Sequence, residues 1–225
     1  MALFVMWLRG TRWFVAVSAI GLVMFCAGQV RANASSTVLD YGAQLTPKER
    51  ELLATGKSVK RKFLLDVDDV QYRAGLSYRL VHGSPLDVVS VLRSPQGMVR
   101  SIPYGVEATT IEEKNGVSKV RIRQGKAPVI GGYTVRMKWE MDDYRARFWL
   151  DPNDEHDLRD IWGWFMAREV SPGVTLIGFA IAFDLGGVGE ILASKAHRWS
   201  LSTADRIAEL VEERSGRKMT PAARD

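Results

Sequence analysis

The last third of the chain has the hydrophobic pattern of two strands followed by a long helix. Two largely apolar segments, Asp160–Val170 and Val174–Asp184, flank a Pro172-Gly173 step, which predicts a tight reversal between antiparallel strands. After them, Val188–Arg214 carries apolar residues spaced three or four apart, the pattern of an amphipathic helix. We expect this single long helix to lie across a sheet and to bury its apolar stripe there.

The two faces of this predicted helix differ sharply in polarity. The apolar stripe consists of Val188, Leu192, Ala196, Trp199, Thr203, Ile207, Leu210 and Val211. The opposite, polar face carries Glu190, His197, Arg198, Glu209 and Glu213. Such a helix is stable in water only when its stripe is covered.

The middle of the chain predicts antiparallel strands. Gly105–Lys114 and Val117–Gln124 flank Asn115-Gly116, the strongest short-range signal for a hairpin. Gly132–Glu140 and Asp143–Leu150 then alternate apolar and polar residues with a period of two. This alternation is typical of antiparallel strands that have one face in water.

Before these strands the pattern predicts short helices and two further strands. Thr46 to Glu49 form a capping box, so a short helix begins at Pro47. Strands are predicted over Lys57–Val67 and Tyr72–His82. A second helix is predicted over Pro85–Leu92 and is expected to end at Ser94-Pro95.

The N-terminus resembles an export signal. Arg9 and Arg12 precede Trp13–Ala27, an uncharged apolar run of about 15 residues, which is short for a membrane span. Ala32 and Ala34 provide small residues before a cleavage site, so we expect cleavage after Ala34 and an exported, periplasmic or secreted protein. The alternative is an uncleaved segment that anchors the protein to a membrane.

Composition then excludes several classes of protein. The chain has 225 residues, enough for a single core. Removal of residues 1–34 lowers the basic residues from 31 to 28 against 26 acidic residues, so the net charge falls from +5 to +2, and no nucleic-acid partner is expected. The only cysteine, Cys26, lies in the removed segment, which leaves no disulfide and no cysteine metal site.

Three segments carry a resemblance to a known family: Gly75–Leu92, Arg147–Leu150 and Trp164–Asp184. Together they resemble the START-like superfamily, which includes polyketide cyclase/dehydrase, lipid-transport and Bet v 1-like (SRPBCC) proteins. The resemblance implies an α+β helix-grip fold: a curved antiparallel β-sheet wrapped around a long C-terminal α-helix, with short N-terminal helices. It also implies binding or transport of an apolar ligand.

The residue pattern and the resemblance together divide the chain into four parts. Residues 1–34 form the signal peptide, 35–56 a linker with a short helix, 57–214 the START-like ligand-binding domain, and 215–225 a polar tail. The expected partner is a hydrophobic small molecule or lipid, with transient membrane contact, and the protein is expected to be a monomer without a cofactor.

Aromatic side chains on the predicted strands are the best candidates for a ligand-binding site. The candidate wall residues are Met137, Trp139, Phe148, Trp162, Trp164, Phe179, Leu192 and Trp199, and the candidate polar contacts are Arg147 and Arg168. An arginine in an apolar strand can bind a ligand carboxylate or phosphate. Because aromatic residues bury large areas in any core, a structural or interaction protein with a solidly packed core remains an alternative.

Signals for catalysis are weak. His82, His156 and His197 are far apart without metal-ligand spacing, and Gly-x-Ser-x-Gly does not occur. We therefore expect no metal and assign no catalytic residue. A cyclase or aromatase that uses the same cavity is the alternative function.

Overall fold

The computed structural model describes residues 45–186 and 190–216, and the side chains of 190–192 are not among those it describes. The predicted signal peptide, residues 35–44 of the linker, residues 217–225 of the tail, Val188 and the side chains of Glu190 and Leu192 therefore lie outside the described part.

The described chain contains five α-helices and eight β-strands, and the strands follow one another in the predicted order. They are α1 (Pro47–Ala54), β1 (Val59–Val67), β2 (Val70–His82), α2 (Pro85–Arg93), α3 (Pro95–Ser101), β3 (Gly105–Lys114), β4 (Val117–Lys126), β5 (Val129–Glu140), β6 (Arg145–Leu150), β7 (Asp160–Ser171), β8 (Val174–Asp184), α4 (Glu190–Ser200) and α5 (Thr203–Ser215). A short 3-10 turn, Met141–Asp143, joins β5 to β6.

In the described residues, one eight-stranded sheet has the order β1-β2-β8-β7-β6-β5-β4-β3. Each neighbouring pair is antiparallel. The chain thus places its last strand, β8, between β2 and β7, which brings the C-terminal helices back across the middle of the sheet.

The main core lies between one face of this sheet and the helices α2, α3 and α5. Strand β7 shows why, because its burial alternates: Ile161, Gly163 and Phe165 are buried, whereas Trp162 and Trp164 are half-buried on the other face. Helix α5 contributes Ile207 and Val211 to the same core. We call the core side of the sheet its concave face and the other side its convex face.

The predicted single C-terminal helix is wrong, because it is broken at Leu201-Ser202 into α4 and α5. Around the break, three hydroxyl groups donate to carbonyl oxygens three residues earlier: Ser200 to His197 (3.1 Å), Ser202 to Trp199 (2.7 Å) and Thr203 to Ser200 (2.8 Å). Such back-bonding competes with the helix ladder and bends helices.

His197 lies in the core and not on a polar face, which corrects a second expectation. It is buried, with Nε2 2.7 Å from the carbonyl oxygen of Ala74 in β2. Burial lowers the pKa of His197 below its ordinary value, against the effect of this hydrogen bond, so the ring is neutral and Nε2–H donates.

The helix predicted to end at Ser94-Pro95 is followed at once by α3. Ser94 closes α2 and also caps α3, since its Oγ accepts from the backbone N–H of Gly97 at 3.0 Å. Pro95 then occupies the first turn, where proline fits well. In α2 itself, Val88, Val89, Val91 and Leu92 are buried, whereas Leu86 is 56% exposed.

Candidate functional site

A pocket of about 460 Å³ opens between the concave face of the sheet and helices α3, α4 and α5. Its volume lies within the range of pockets that bury a drug-sized ligand, roughly 300–1,000 Å³. The sheet and the C-terminal helices are therefore not packed solidly against each other in this region.

The walls of the pocket are largely apolar. They are formed by inward-facing strand residues, by α2, by α3 with the residue after it, and by the loop before β7: Leu92, Met98, Ile102, Ile122, Val135, Met137, Phe148, Leu158, Ile161, Phe165, Phe179, Ile181 and Phe183. Phe148 of β6 and Phe179 of β8 stack across the floor, with ring centroids 6.0 Å apart and ring planes inclined by 14°. This lining suits an apolar or aromatic guest.

Gly163 allows the Phe148 ring to occupy this position. A Cβ at residue 163 would lie 2.6 Å from Phe148 Cζ and would also clash with the carbonyl oxygen of Ala180. The glycine in the middle of β7 therefore permits close approach of the neighbouring ring and strand.

The opening is marked by lining residues that are exposed to solvent. Lys126 ends β4, Ala127 and Pro128 follow it, and Val129 begins β5; we call residues 126–130 together the β4–β5 turn. Asp157 lies in the loop before β7. Asp157 Oδ2 accepts a hydrogen bond from the Gly132 N–H at 2.7 Å. The charged residues of the lining are thus at its edge.

Two aromatic rings and a lysine form one side of the opening. Tyr104 meets Trp199 of α4 edge-on, with ring centroids 4.5 Å apart. The Lys126 ammonium lies 4.5 Å from the centroid of the Tyr104 ring, a cation–π contact. The Tyr104 carbonyl oxygen accepts from the N–H of Gly125 at 2.9 Å, which holds the ring beside the β4–β5 turn.

Inside the pocket, Tyr133 and Gln124 form a polar pair. The Tyr133 hydroxyl donates to Gln124 Oε1 at 2.8 Å. Burial raises the pKa of the Tyr133 phenol well above its usual value, so the group stays protonated. The pair is neutral and lies in a largely apolar wall.

Four of the predicted ligand-binding residues line the pocket: Met137, Phe148, Phe179 and Trp199. Trp139 shares their face of β5 but lies outside the lining, half-buried against the core. The placements of Met137, Phe148 and Phe179 follow from the alternation of β5, β6 and β8, whereas Trp199 reaches the pocket from α4.

The other described candidates lie away from the pocket, which corrects the expectation for them. Trp162 meets Tyr72 edge-on at 5.8 Å on the convex face. Trp164 packs there against Gly178. Arg147 has its Nε 3.9 Å from Glu140 Oε1, and Arg168 is exposed. The reason is the alternation of side chains along each strand: the residues between these candidates in β6 and β7 face the concave side, so the candidates face the convex side.

Sequence reasoning missed several wall residues. Tyr133 shares a face of β5 with Met137, so the alternation could have identified it. Phe165 and Phe183 required knowledge of which strand face is concave. Met98 and Ile102 belong to α3 and the residue after it, where the sequence was interpreted as a helix end.

Across residues 45–186 and 190–216, no cluster of three or more His, Cys, Asp or Glu side chains could hold a metal ion. In the same ranges, no helix combines the length and apolar character needed to span a membrane.

No protein-family model and no curated protein sequence matches the chain. Solved structures do match it. The Zhui aromatase/cyclase from Streptomyces sp. R1128 superposes with a TM-score of 0.56 at 17% identity, covering 64% of this chain and 96% of that one. A STAR-related lipid transfer protein from Xanthomonas axonopodis gives 0.54 at 10% identity, covering 68% and 93%.

A protein from Thermus thermophilus also has the same architecture, with a TM-score of 0.54 at 16% identity, covering 62% of this chain and 97% of that one. At these identities the likeness concerns the fold. It confirms the predicted α+β architecture of antiparallel sheet and C-terminal helix. The chain therefore has a helix-grip fold similar to that of these aromatase/cyclase and STAR-related lipid transfer structures.

Proposed function

We propose that this protein is an exported monomer that binds, and carries, a hydrophobic small molecule such as a lipid in the pocket between the sheet and its C-terminal helices. The observation that supports this most strongly is the apolar pocket of about 460 Å³. Pockets of this size with a few polar groups are the usual form of small-molecule sites.

Binding would rest mainly on removal of apolar surface from water. Each Å² of apolar surface buried contributes about 25 cal/mol, so about 200 Å² from the ligand would contribute roughly 5 kcal/mol before the costs of association. The stacked pair Phe148 and Phe179 offers rigid surface for this contact. That contribution alone corresponds to a dissociation constant of about 0.2 mM, so a micromolar affinity requires a ligand that buries a larger apolar surface.

The distribution of charge favours binding over catalysis. Among the described lining residues, the charged ones are Lys126 and Asp157, and both are exposed at the opening. A cyclase needs ionisable groups placed against its substrate inside the cavity. A carrier needs only an apolar interior with a means of entry.

The β4–β5 turn offers a means of entry from a membrane. Val129 and Ile130 are 60% and 39% exposed beside the opening. Lys126 stands next to them and would be attracted to anionic headgroups. We propose that this turn makes transient contact with a bilayer, which would bring the opening of the pocket to the lipid.

A blocking substitution tests the pocket. Ala196 of α4 lines it, and Ala196→Trp would fill the space near Trp199. We expect the wild-type protein, recovered from cells that express the full chain, to bind the neutral probe N-phenyl-1-naphthylamine and to retain lipid from vesicles in native mass spectrometry. Ala196→Trp should lower probe binding at least tenfold.

The matched control is Ser194→Trp, which places the same side chain on an exposed position of α4. It should bind the probe as the wild type does. A wild-type protein that takes up neither probe nor lipid, or an Ala196→Trp variant that binds normally, would overturn the proposed function.

Export has its own test. Mass measurement of the protein from expressing cells should give a chain that begins at Ser35 in the exported fraction. A chain that retains residues 1–34 in the membrane fraction would support the anchored alternative, and an intact chain in the cytosol would contradict both.

A further inference from the structure

The hydrogen-bonding groups of the pocket interior are not equivalent. Ser101, Ser200 and Thr203 line the pocket, but each hydroxyl donates to a carbonyl oxygen of its own helix region, at 2.9, 3.1 and 2.8 Å. Their protons are therefore committed to the backbone. Lys126 and Asp157 lie at the solvent-exposed edge.

Gln124 and Tyr133 differ from these groups. They lie on adjacent strands, β4 and β5, where Ile122 is opposite Tyr133 and Gln124 is opposite Gly131, so the two side chains meet diagonally on the concave face. Their mutual hydrogen bond, at 2.8 Å, uses the Tyr133 proton and the Gln124 oxygen. Left over are the amide N–H donors of Gln124 and the acceptor lone pairs of the Tyr133 oxygen.

The Gln124 amide and the Tyr133 oxygen thus offer a ligand one donor group and one acceptor side by side, and both groups are neutral. A ligand hydroxyl can accept from the amide and donate to the phenol oxygen at the same time, whereas an ether or carbonyl oxygen can only accept. A carboxylate or phosphate would face the acceptor without a cation inside the described lining, and burial of an unpaired charge is costly.

We propose that the Gln124–Tyr133 pair binds a single hydroxyl group, so that the ligand of this pocket is a neutral hydrophobic alcohol rather than a fatty acid anion or an anionic phospholipid. This inference rests on the proposed function and specifies its substrate class. The apolar body of the alcohol then lies against Phe148 and Phe179.

Competition against N-phenyl-1-naphthylamine tests it with three matched probes: 1-decanol, its methyl ether 1-methoxydecane, and decanoate. The wild-type protein should bind decanol about tenfold more tightly than the ether, as expected for hydrogen bonds to a buried site. Decanoate at neutral pH should bind more weakly than decanol. Gln124→Met and Tyr133→Phe should each reduce the alcohol-to-ether preference to about twofold or less.

Thr134→Val is the matched control, because it removes a buried hydroxyl from the next residue of β5, on the opposite face. It should keep the wild-type preference for decanol. All variants should still bind the naphthylamine probe, which lacks a hydroxyl, within about twofold of the wild type if the pocket itself is intact.

The outcomes separate the two proposals. Equal binding of decanol and ether by the wild-type protein, or tighter binding of decanoate, overturns the alcohol inference and leaves the apolar pocket standing. An unchanged preference in Gln124→Met overturns it as well, even if Tyr133→Phe fails to fold. Absence of naphthylamine binding by the wild-type protein contradicts the proposed function itself.

Discussion

The Leu201 side chain lies directly against the backbone of Gly75 in β2. A Cβ at residue 75 would be 2.8 Å from Leu201 Cδ2 and 2.7 Å from the carbonyl oxygen of Arg61. Leu201 occupies the break between α4 and α5 and is fully buried. The break thus turns Leu201 onto β2, while Trp199 and Thr203 on either side of it line the pocket.

Substitution of Gly75 by alanine should therefore destabilise the protein. The added methyl group must displace Leu201 and the β1 backbone together, and overpacking of this kind costs about 1–3 kcal/mol. Urea denaturation should show the loss as a lower midpoint. Gly132→Ala is the matched control, since a Cβ there meets its nearest atom at 3.8 Å and should change the free energy of unfolding little.

Asp151, the residue after β6, lies at the centre of a cluster of ion pairs. The carboxylate is fully buried, accepts from Arg136 Nε at 3.0 Å and lies 3.1 Å from Lys119 Nζ. Burial alone would raise the pKa of Asp151, but hydrogen bonds from Arg136, the Asn153 N–H and Lys119 together hold it below the ordinary value of 3.8.

Asp151→Asn should lower the free energy of unfolding at neutral pH by about 2 kcal/mol, because Arg136 loses its charged partner and Lys119 keeps only Asp154, at 3.0 Å. We discount the usual cost of breaking a buried ion pair because Arg136 is partly exposed. Because the folded pKa is depressed, the stabilisation is present above about pH 4 and is lost as the pH falls further. Equilibrium denaturation checks both points, and Glu155→Gln in the same exposed loop should leave the neutral-pH stability unchanged.

His197 should make the stability depend on pH near neutrality. Its pKa in the folded protein lies below 6.5, mainly through burial and also through the nearby charges of Lys62 and Arg73. The unfolded chain then binds more protons, so stability is full above about pH 6.5 and decreases as the pH falls toward the folded pKa.

His197→Gln removes this titration and keeps a donor for the Ala74 carbonyl oxygen. Between about pH 7.5 and 5, the free energy of unfolding of this variant should fall less steeply than that of the wild type. His156 is exposed and supplies the control substitution. Identical slopes for His197→Gln and the wild type would contradict the assignment of the neutral ring.

Local patterns were sufficient to predict most strands and the order of the fold. The Asn115-Gly116 hairpin and the alternation of β5 and β6 are set by residues close together in the chain. A single sequence is therefore enough to predict them. The helix break at Leu201-Ser202 was missed because the apolar stripe continues through it. Its cause, hydroxyl back-bonding, is local but competes with that stripe.

The location of the site could not be predicted from the alternation of apolar and polar residues alone. Either face of β7 could have been concave, because Trp162 and Trp164 are as apolar as Ile161 and Phe165. The choice follows from which side α5 covers, a long-range relationship. The burial of His197 is similar, since its partner Ala74 is 123 residues away in the chain.

The exposed apolar side chains of the β4–β5 turn should contribute to membrane contact. Val129 and Ile130 are exposed at the opening of the pocket, and transfer of both side chains into a bilayer interface would contribute a few kcal/mol at most. The double substitution Val129→Asp and Ile130→Asp should therefore weaken sedimentation with phosphatidylglycerol-containing vesicles at least about tenfold.

The control for this variant is Val170→Asp. Val170 is 47% exposed near the β7–β8 turn, at the other end of the sheet, so it removes an exposed apolar side chain away from the opening. It should sediment with vesicles as the wild type does. If the control loses binding equally, added negative charge rather than the turn explains the effect, and the proposed orientation of the opening toward the bilayer is contradicted.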